Sequence, residues 1–241
     1  MSVIGIYRQS CQMQCTLLSS SSGVLMKRRV VVVAVACVAV IGVGIGVRHV
    51  RHHRQLVRWA AMYRARAEQG DAHSQYELGA MYYHGRGLPV NYAEAADWYR
   101  KSAEQGNAEA QYSLSYLYHE GKGLPRDDGE AVRWCRKAAD QGNPRAQYVL
   151  GMLYGRGEGV AEDDAEAVRW YQKSVEQGYP PAQFGLGLMY YYGRGVPQNR
   201  SQAYNLFQEA AAHGNEDAQK ALECSRNGRS IDPGAGLAGL Q

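Results

Sequence analysis

His49 and His53 stand four residues apart, one helical turn, a spacing at which two imidazoles can meet a single metal ion. No Cys, Asp or Glu lies close by to complete a ligand set. Arg48, Arg51 and Arg54 surround the pair, so a basic segment bordering a membrane explains it better. General acid–base chemistry needs a carboxylate beside a proton carrier, and Glu77 or Glu120 with a neighbouring His is the candidate of that kind. His73, His84, His119 and His213 are otherwise isolated. No Gly-x-Ser-x-Gly, His-Glu-x-x-His or phosphate-loop pattern occurs. Cys11, Cys15, Cys37, Cys135 and Cys224 are odd in number and irregular in spacing, which fits unpaired thiols rather than a disulfide framework. The expectation is therefore no catalytic residue, no metal and no cofactor, and a protein that works by binding.

Charge narrows what it binds. The formal net charge is +4, but residues 1–54 hold seven Lys/Arg and no Asp or Glu, whereas residues 55–224 hold 18 basic and 22 acidic side chains. A mildly acidic domain lacks the basic face that phosphate neutralisation requires, so nucleic acid is not an expected partner.

The basic end contains an apolar run of 18 residues, Val30 to Val47. As a helix it would span roughly 27 Å, enough for a hydrocarbon core. Lys27, Arg28 and Arg29 flank one side and Arg48, Arg51 and Arg54 the other. We read an uncleaved signal anchor over 30–47, a disordered basic segment over 1–29, and a basic juxtamembrane segment leading into a half repeat over 48–70. Met26 is a second possible translation start. Gly42 and Gly46 give a weak small-x-x-x-small signal for homo-association through the anchor.

The elements that must position any binding residues repeat every 36 residues. The chain has 28 glycines and 18 tyrosines against two phenylalanines, a bias that a reused unit would produce. The copies run 71–106, 107–142, 143–178 and 179–214, followed by a partial capping copy over 215–224 and a disordered tail over 225–241. Columns stay in register throughout: Gln75, Gln111, Gln147 and Gln183; Leu78, Leu114, Leu150 and Leu186; Gly85, Gly121, Gly157 and Gly193. Each copy reads as two helices, the first spanning about Ala72 to His84 in copy one and ending at a glycine. Asn91, Asp127, Asp163 and Asn199, each followed three residues later by Glu or Gln, predict a capping box on every second helix. Ala95, Ala131, Ala167 and Ala203 allow close helix approach. Units that bury their apolar faces only against neighbours make an α-solenoid, so the predicted class is all-α, with a single transmembrane helix preceding the array.

The phrases Gln-Tyr-x-Leu-Gly-x-Met-Tyr, Gly-x-Gly-Leu/Val-Pro and Glu-Ala-x-x-Trp-Tyr-x-Lys-Ser/Ala-x-Glu-Gln-Gly resemble the Sel-1-like repeat, a relative of the tetratricopeptide repeat, over about residues 60–224. Ser115 and Cys135 depart from the pattern, standing where other copies have glycine and an aromatic residue. The resemblance implies an adaptor or scaffold role, often at membranes or in bacterial envelopes. Some cysteine-rich relatives have been described as β-lactamase-like, but this chain lacks their paired cysteines and any serine–lysine motif.

One stripe of the first helix changes from copy to copy. It reads His73, Glu77, Ala80, His84; then Glu109, Ser113, Tyr116, Glu120; then Arg145, Val149, Met152, Arg156; then Pro181, Gly185, Leu188, Tyr192. The resemblance places this face on the concave side. The expected partner-binding residues are Tyr83, His84, Tyr116, Glu120, Met152, Arg156, Leu188, Tyr191 and Tyr192, with acidic side chains early in the stripe and Arg145 and Arg156 later. The Gln75 column is expected to bond between repeats. The functional expectation is a membrane-tethered adaptor holding a protein or peptide, with its repeats on the periplasmic side of a bacterial inner membrane. An envelope enzyme or glycan-active protein, or a purely structural envelope subunit, are the alternatives.

Overall fold

The computed structural model describes residues 54–227 and residue 231. The expected anchor, its glycine pair, the His49/His53 pair and the remainder of the tail lie outside the described residues. Among the described residues all regular structure is α-helical, and no helix is long and apolar enough to cross a membrane. The array belongs to one compact unit, Leu56–Gln241.

Residues 54–68 form α1. Helix pairs follow: α2 (Ala72–His84) with α3 (Tyr92–Glu104), α4 (Ala108–Glu120) with α5 (Asp128–Asp140), α6 (Pro144–Arg156) with α7 (Asp164–Glu176), and α8 (Pro180–Tyr192) with α9 (Arg200–Ala212). Helix α10 (Glu216–Arg226) closes the stack. From α2 on, each helix packs chiefly on the one before and the one after, so the architecture is a solenoid of hairpins.

Local chemistry explains the helix ends. Asp71, Asn107, Asn143 and Asn215 accept hydrogen bonds from backbone N–H groups three residues on. Each such cap is worth about 1 kcal/mol. Asn91, Asp127, Asp163 and Asn199 do the same for the second helices. The expected reciprocal half of the capping box is not how these ends close. The N–H groups of those four residues donate instead to the carbonyls of Tyr82, Tyr118, Tyr154 and Tyr190 in the preceding helix. The donor a box would satisfy is already engaged, and Glu130 and Glu166 pair with Arg133 and Arg169.

Gly85 ends α2 at φ 68°, in the left-handed region that glycine enters without a Cβ penalty. Gly87 does more than tighten the turn. A Cβ there would fall onto the backbone of Leu56 in the preceding helix, and at Gly123, Gly159 and Gly195 onto that of Tyr92, Asp128 and Asp164. These glycines are therefore backbone-to-backbone contacts between consecutive repeats.

The Gln column bonds across repeats, as expected. Gln75, Gln111 and Gln147 donate from Nε2 to the carbonyls of Ala67, Ala103 and Ala139 in the previous repeat, at 3.1, 3.0 and 3.2 Å. Their Oε1 atoms accept from Gln105, Gln141 and Gln177 at 2.7, 2.7 and 2.8 Å. In the last copy His213 stands where the donor glutamine should be. The buried Oε1 of Gln183 there has no partner.

Inside each hairpin Ala95, Ala131, Ala167 and Ala203 are fully buried. Beside them Gly79, Gly151 and Gly187 face Tyr99, Tyr171 and Phe207. An added Cβ would lie 2.7, 2.8 and 2.5 Å from those rings. In copy two the two departures noted in the sequence occupy this same contact, Ser115 on α4 and Cys135 on α5, both buried. Trp134 and Trp170 are buried, with Lys137 and Lys173 lying 4.3 and 3.8 Å from their ring centres.

Candidate binding cleft

The stripe of first-helix positions opens into a cleft of about 220 Å³ between α2 and α4. Tyr76, Ala80, Tyr83 and His84 form one wall, Tyr112, Ser113 and Tyr116 the other, Tyr99 the floor, and Arg145 one end. The walls hold their side chains in ring contacts. Tyr83 meets Tyr116 edge-to-face at 6.3 Å, Tyr92 at 5.3 Å and His84 at 4.8 Å, and Tyr76 lies 5.8 Å from Tyr99. Such pairs prefer tilted and edge-on geometries, which presents ring edges and faces together.

Burial pushes the Tyr112 phenol up to about 12 and raises those of Tyr76, Tyr83 and Tyr99. At neutral pH these are uncharged hydroxyls, able to donate hydrogen bonds but not to act as phenolate nucleophiles. Burial also lowers the His84 imidazole. The Lys122 ammonium donates to the Tyr116 hydroxyl at 3.2 Å, which holds its pKa above the usual lysine value.

Four of the charges expected to run along the stripe are matched within the chain. Glu109 pairs with Arg145 at 2.6 Å, Glu120 with Lys122 at 3.5 Å, and Arg156 with Glu158 at 3.6 Å. Arg145 also lies 5.4 Å from the Tyr112 ring centre. The acidic-to-basic gradient expected from the sequence is damped by these pairs.

The structure thus brings together Tyr83, His84 and Tyr116, with Glu120 on the same wall helix. It corrects Met152 and Leu188, expected as exposed anchors and found 2 and 7 % exposed. Met152 is buried in the core of the third hairpin, and Leu188 in a separate cluster with Phe184, Phe207, Ala221 and Ile231. Where the column carries Ala80 the cleft stays open. Tyr191 lies beside Tyr192, Tyr204 and Phe207, and Arg200 sits 5.3 Å from its ring centre. Tyr192 is 36 % exposed and donates its hydroxyl to the Ile231 carbonyl.

Tyr76 and Tyr112 were missed as cleft residues because their column repeats as Tyr, Tyr, Tyr, Phe and so resembled scaffold. The one usable signal was the small Ala80 beside them. His119 was also passed over. Its Nδ1 lies 2.9 Å from Asp128 and its Nε2 4.0 Å from Glu158 of the next repeat. Asp128 is shared with Arg126, and the nearby Ser115 hydroxyl donates to the Tyr112 carbonyl, so the group reads as a bridge between repeats. Neither Glu77 nor Glu120 is hydrogen-bonded to a histidine among the described residues. Among those residues, too, no three His, Cys, Asp or Glu side chains are grouped to hold a metal.

A family model described as the Sel1 repeat matches residues 72–107, 108–143, 144–179 and 180–215, more than half of the chain. A solved protective antigen present in uropathogenic Escherichia coli strains, displaying an SLR fold, is similar at 38% identity over 73% of this chain, with a TM-score of 0.64. The chain spans 38% of that antigen's length. A Sel1 repeat protein from Oxalobacter formigenes is similar at 36% identity and a TM-score of 0.67, over 73% of this chain and 72% of the other. No curated protein matches the chain.

Proposed function

The chain belongs to the Sel1 repeat family, and we propose that its array is an adaptor that holds an extended segment of a partner protein in the cleft between α2 and α4. The observation that supports this reading is the cleft itself: uncharged aromatic side chains, partly exposed, mounted on two rigid helices. Aromatic anchors in such a setting carry most of the binding energy of an interface, each about 1–4 kcal/mol on truncation. Tyr83, His84 and Tyr116 form the centre. Glu120, Arg156, Tyr191 and Tyr192 extend the contact along the same face.

A photo-crosslinking residue at Ser113 in the full chain tests the proposal in native membranes. One defined partner should be captured, and Tyr83→Ala with Tyr116→Ala should reduce its yield about tenfold or more while helicity is kept. Undiminished capture by the folded double variant would move the site elsewhere.

The adaptor is tethered, in this proposal, by Val30 to Val47, with the repeats on the periplasmic face of a bacterial inner membrane. The uncharged run and its basic flanks support the tether. Reporter fusions after Gln241 check the side: a reporter active only in the cytoplasm overturns it.

A further inference from the structure

At the far end of the array, Ile231 shows how a side chain can be taken by this fold. It is 3 % exposed, in a cluster with Phe184 and Leu188 of α8, Phe207 of α9, and Ala218 and Ala221 of α10. Its backbone carbonyl accepts a hydrogen bond from the Tyr192 hydroxyl.

The repeat register relates this place to the cleft. Three repeats earlier, Phe184, Leu188 and Tyr192 correspond to Tyr76, Ala80 and His84, Phe207 corresponds to Tyr99, and Ala221 corresponds to Ser113. All five counterparts line the open cleft. The cleft between α2 and α4 and the seat of Ile231 are therefore the same position in the repeat register, once open and once occupied by the Ile231 side chain. Two junctions lie between them: the first carries Tyr116 in the Ala80 column and the second Met152, which is buried.

We infer that the cleft is an anchor pocket for one branched aliphatic side chain, Ile, Val or Leu, carried on an extended peptide. The mode is that of Ile231: the side chain enters over Ala80 between the tyrosine rings, and the backbone carbonyl turns to His84, which stands where Tyr192 stands. The inference rests on the adaptor reading and names the chemistry of its ligand. Aliphatic rather than charged character follows from the lining. The phenols are neutral, Arg145 is the one fully charged side chain among the described residues of the lining, and it is paired with Glu109, as Lys122 is with Glu120. A charge buried between these rings would be met mainly by neutral phenols, at a desolvation cost. A β-branched side chain also loses little rotamer freedom on entering.

The test uses a fluorescent peptide copying residues 226–237 of this chain, which carries the Ile231 segment, titrated against the full-length protein in detergent by anisotropy. Saturable binding is expected, weakened about tenfold or more when the peptide's isoleucine is replaced by Asp. In the protein, Ala80→Trp should block binding to a similar degree. Ala80→Met, which installs the side chain found in this column in the third repeat, should do so with less risk to folding, and circular dichroism checks both. Equal binding of the Ile and Asp peptides, binding unchanged in both Ala80 variants, or no binding at millimolar peptide would each overturn the inference. Loss of peptide binding with intact crosslinking from Ser113 would remove the aliphatic anchor and leave the adaptor reading standing. Binding of the peptide with no Tyr83- and Tyr116-dependent partner would do the reverse.

Discussion

The second and fourth repeats both depart from the common pattern, with opposite consequences. In the second, Ser115 replaces a glycine and Cys135 replaces an aromatic ring, and the two meet in one contact. In the fourth, His213 replaces a glutamine and Glu209 a lysine; the Gln183 Nε2 donates to Glu209, and the buried Gln183 Oε1 is left unsatisfied. A departure is absorbed when the residue it touches departs with it, because volume or hydrogen bonding is conserved by the pair rather than by the position. Where Glu209 and His213 depart around an unchanged Gln183, only one end of its amide is satisfied.

The largest break in this comparison comes from removing a ring where the glycine remains. Tyr171→Ala should cost about 3–5 kcal/mol, since Gly151 has no side chain to fill the space, whereas Cys135→Ala should cost about 1 kcal/mol. Thermal or denaturant unfolding of the full chain reads both. Similar costs would show that the contact does not set the hairpin's packing.

A middle-sized effect sharpens the pairing. Cys135→Tyr alone should destabilise by about 1–3 kcal/mol, because the ring would be forced onto Ser115. Adding Ser115→Gly should recover most of that loss, recreating the pair found at Gly151 and Tyr171. A double-mutant cycle that closes additively would refute the coupling.

The smallest effect runs the other way. His213→Gln should stabilise by about 0.5–1.5 kcal/mol by supplying a donor to the Gln183 Oε1. A melting temperature that stays put or falls would mean that this oxygen has another means of satisfaction.

Much of the fold was legible because the same residue returns in the same column: the leucines, the alanines at helix contacts, the capping Asn and Asp, and the glutamines with their partners on the neighbouring repeat. The cleft was legible in part. Tyr83, His84 and Tyr116 were found from the varying stripe, but Met152 and Leu188 were misplaced by the assumption that a varying position is an exposed one. A column also varies when it is buried and each copy settles its own fit. Tyr76 and Tyr112 failed in the opposite sense, since a repeated aromatic supports the scaffold and still faces open space where its neighbour is Ala80. Ile231 falls 36 residues after Gly195 without repeating that glycine, so the register gave no sign that it would be buried.

The glycines at 87, 123, 159 and 195 carry a consequence for the history of such chains. They join consecutive hairpins through main-chain atoms of Leu56, Tyr92, Asp128 and Asp164, three different residue types. A joint that does not depend on side-chain identity accepts any copy after any other. Unequal recombination can then add or delete whole 36-residue cassettes without redesigning a junction. Array length is then free to change by whole cassettes, while each joint keeps the same main-chain contact.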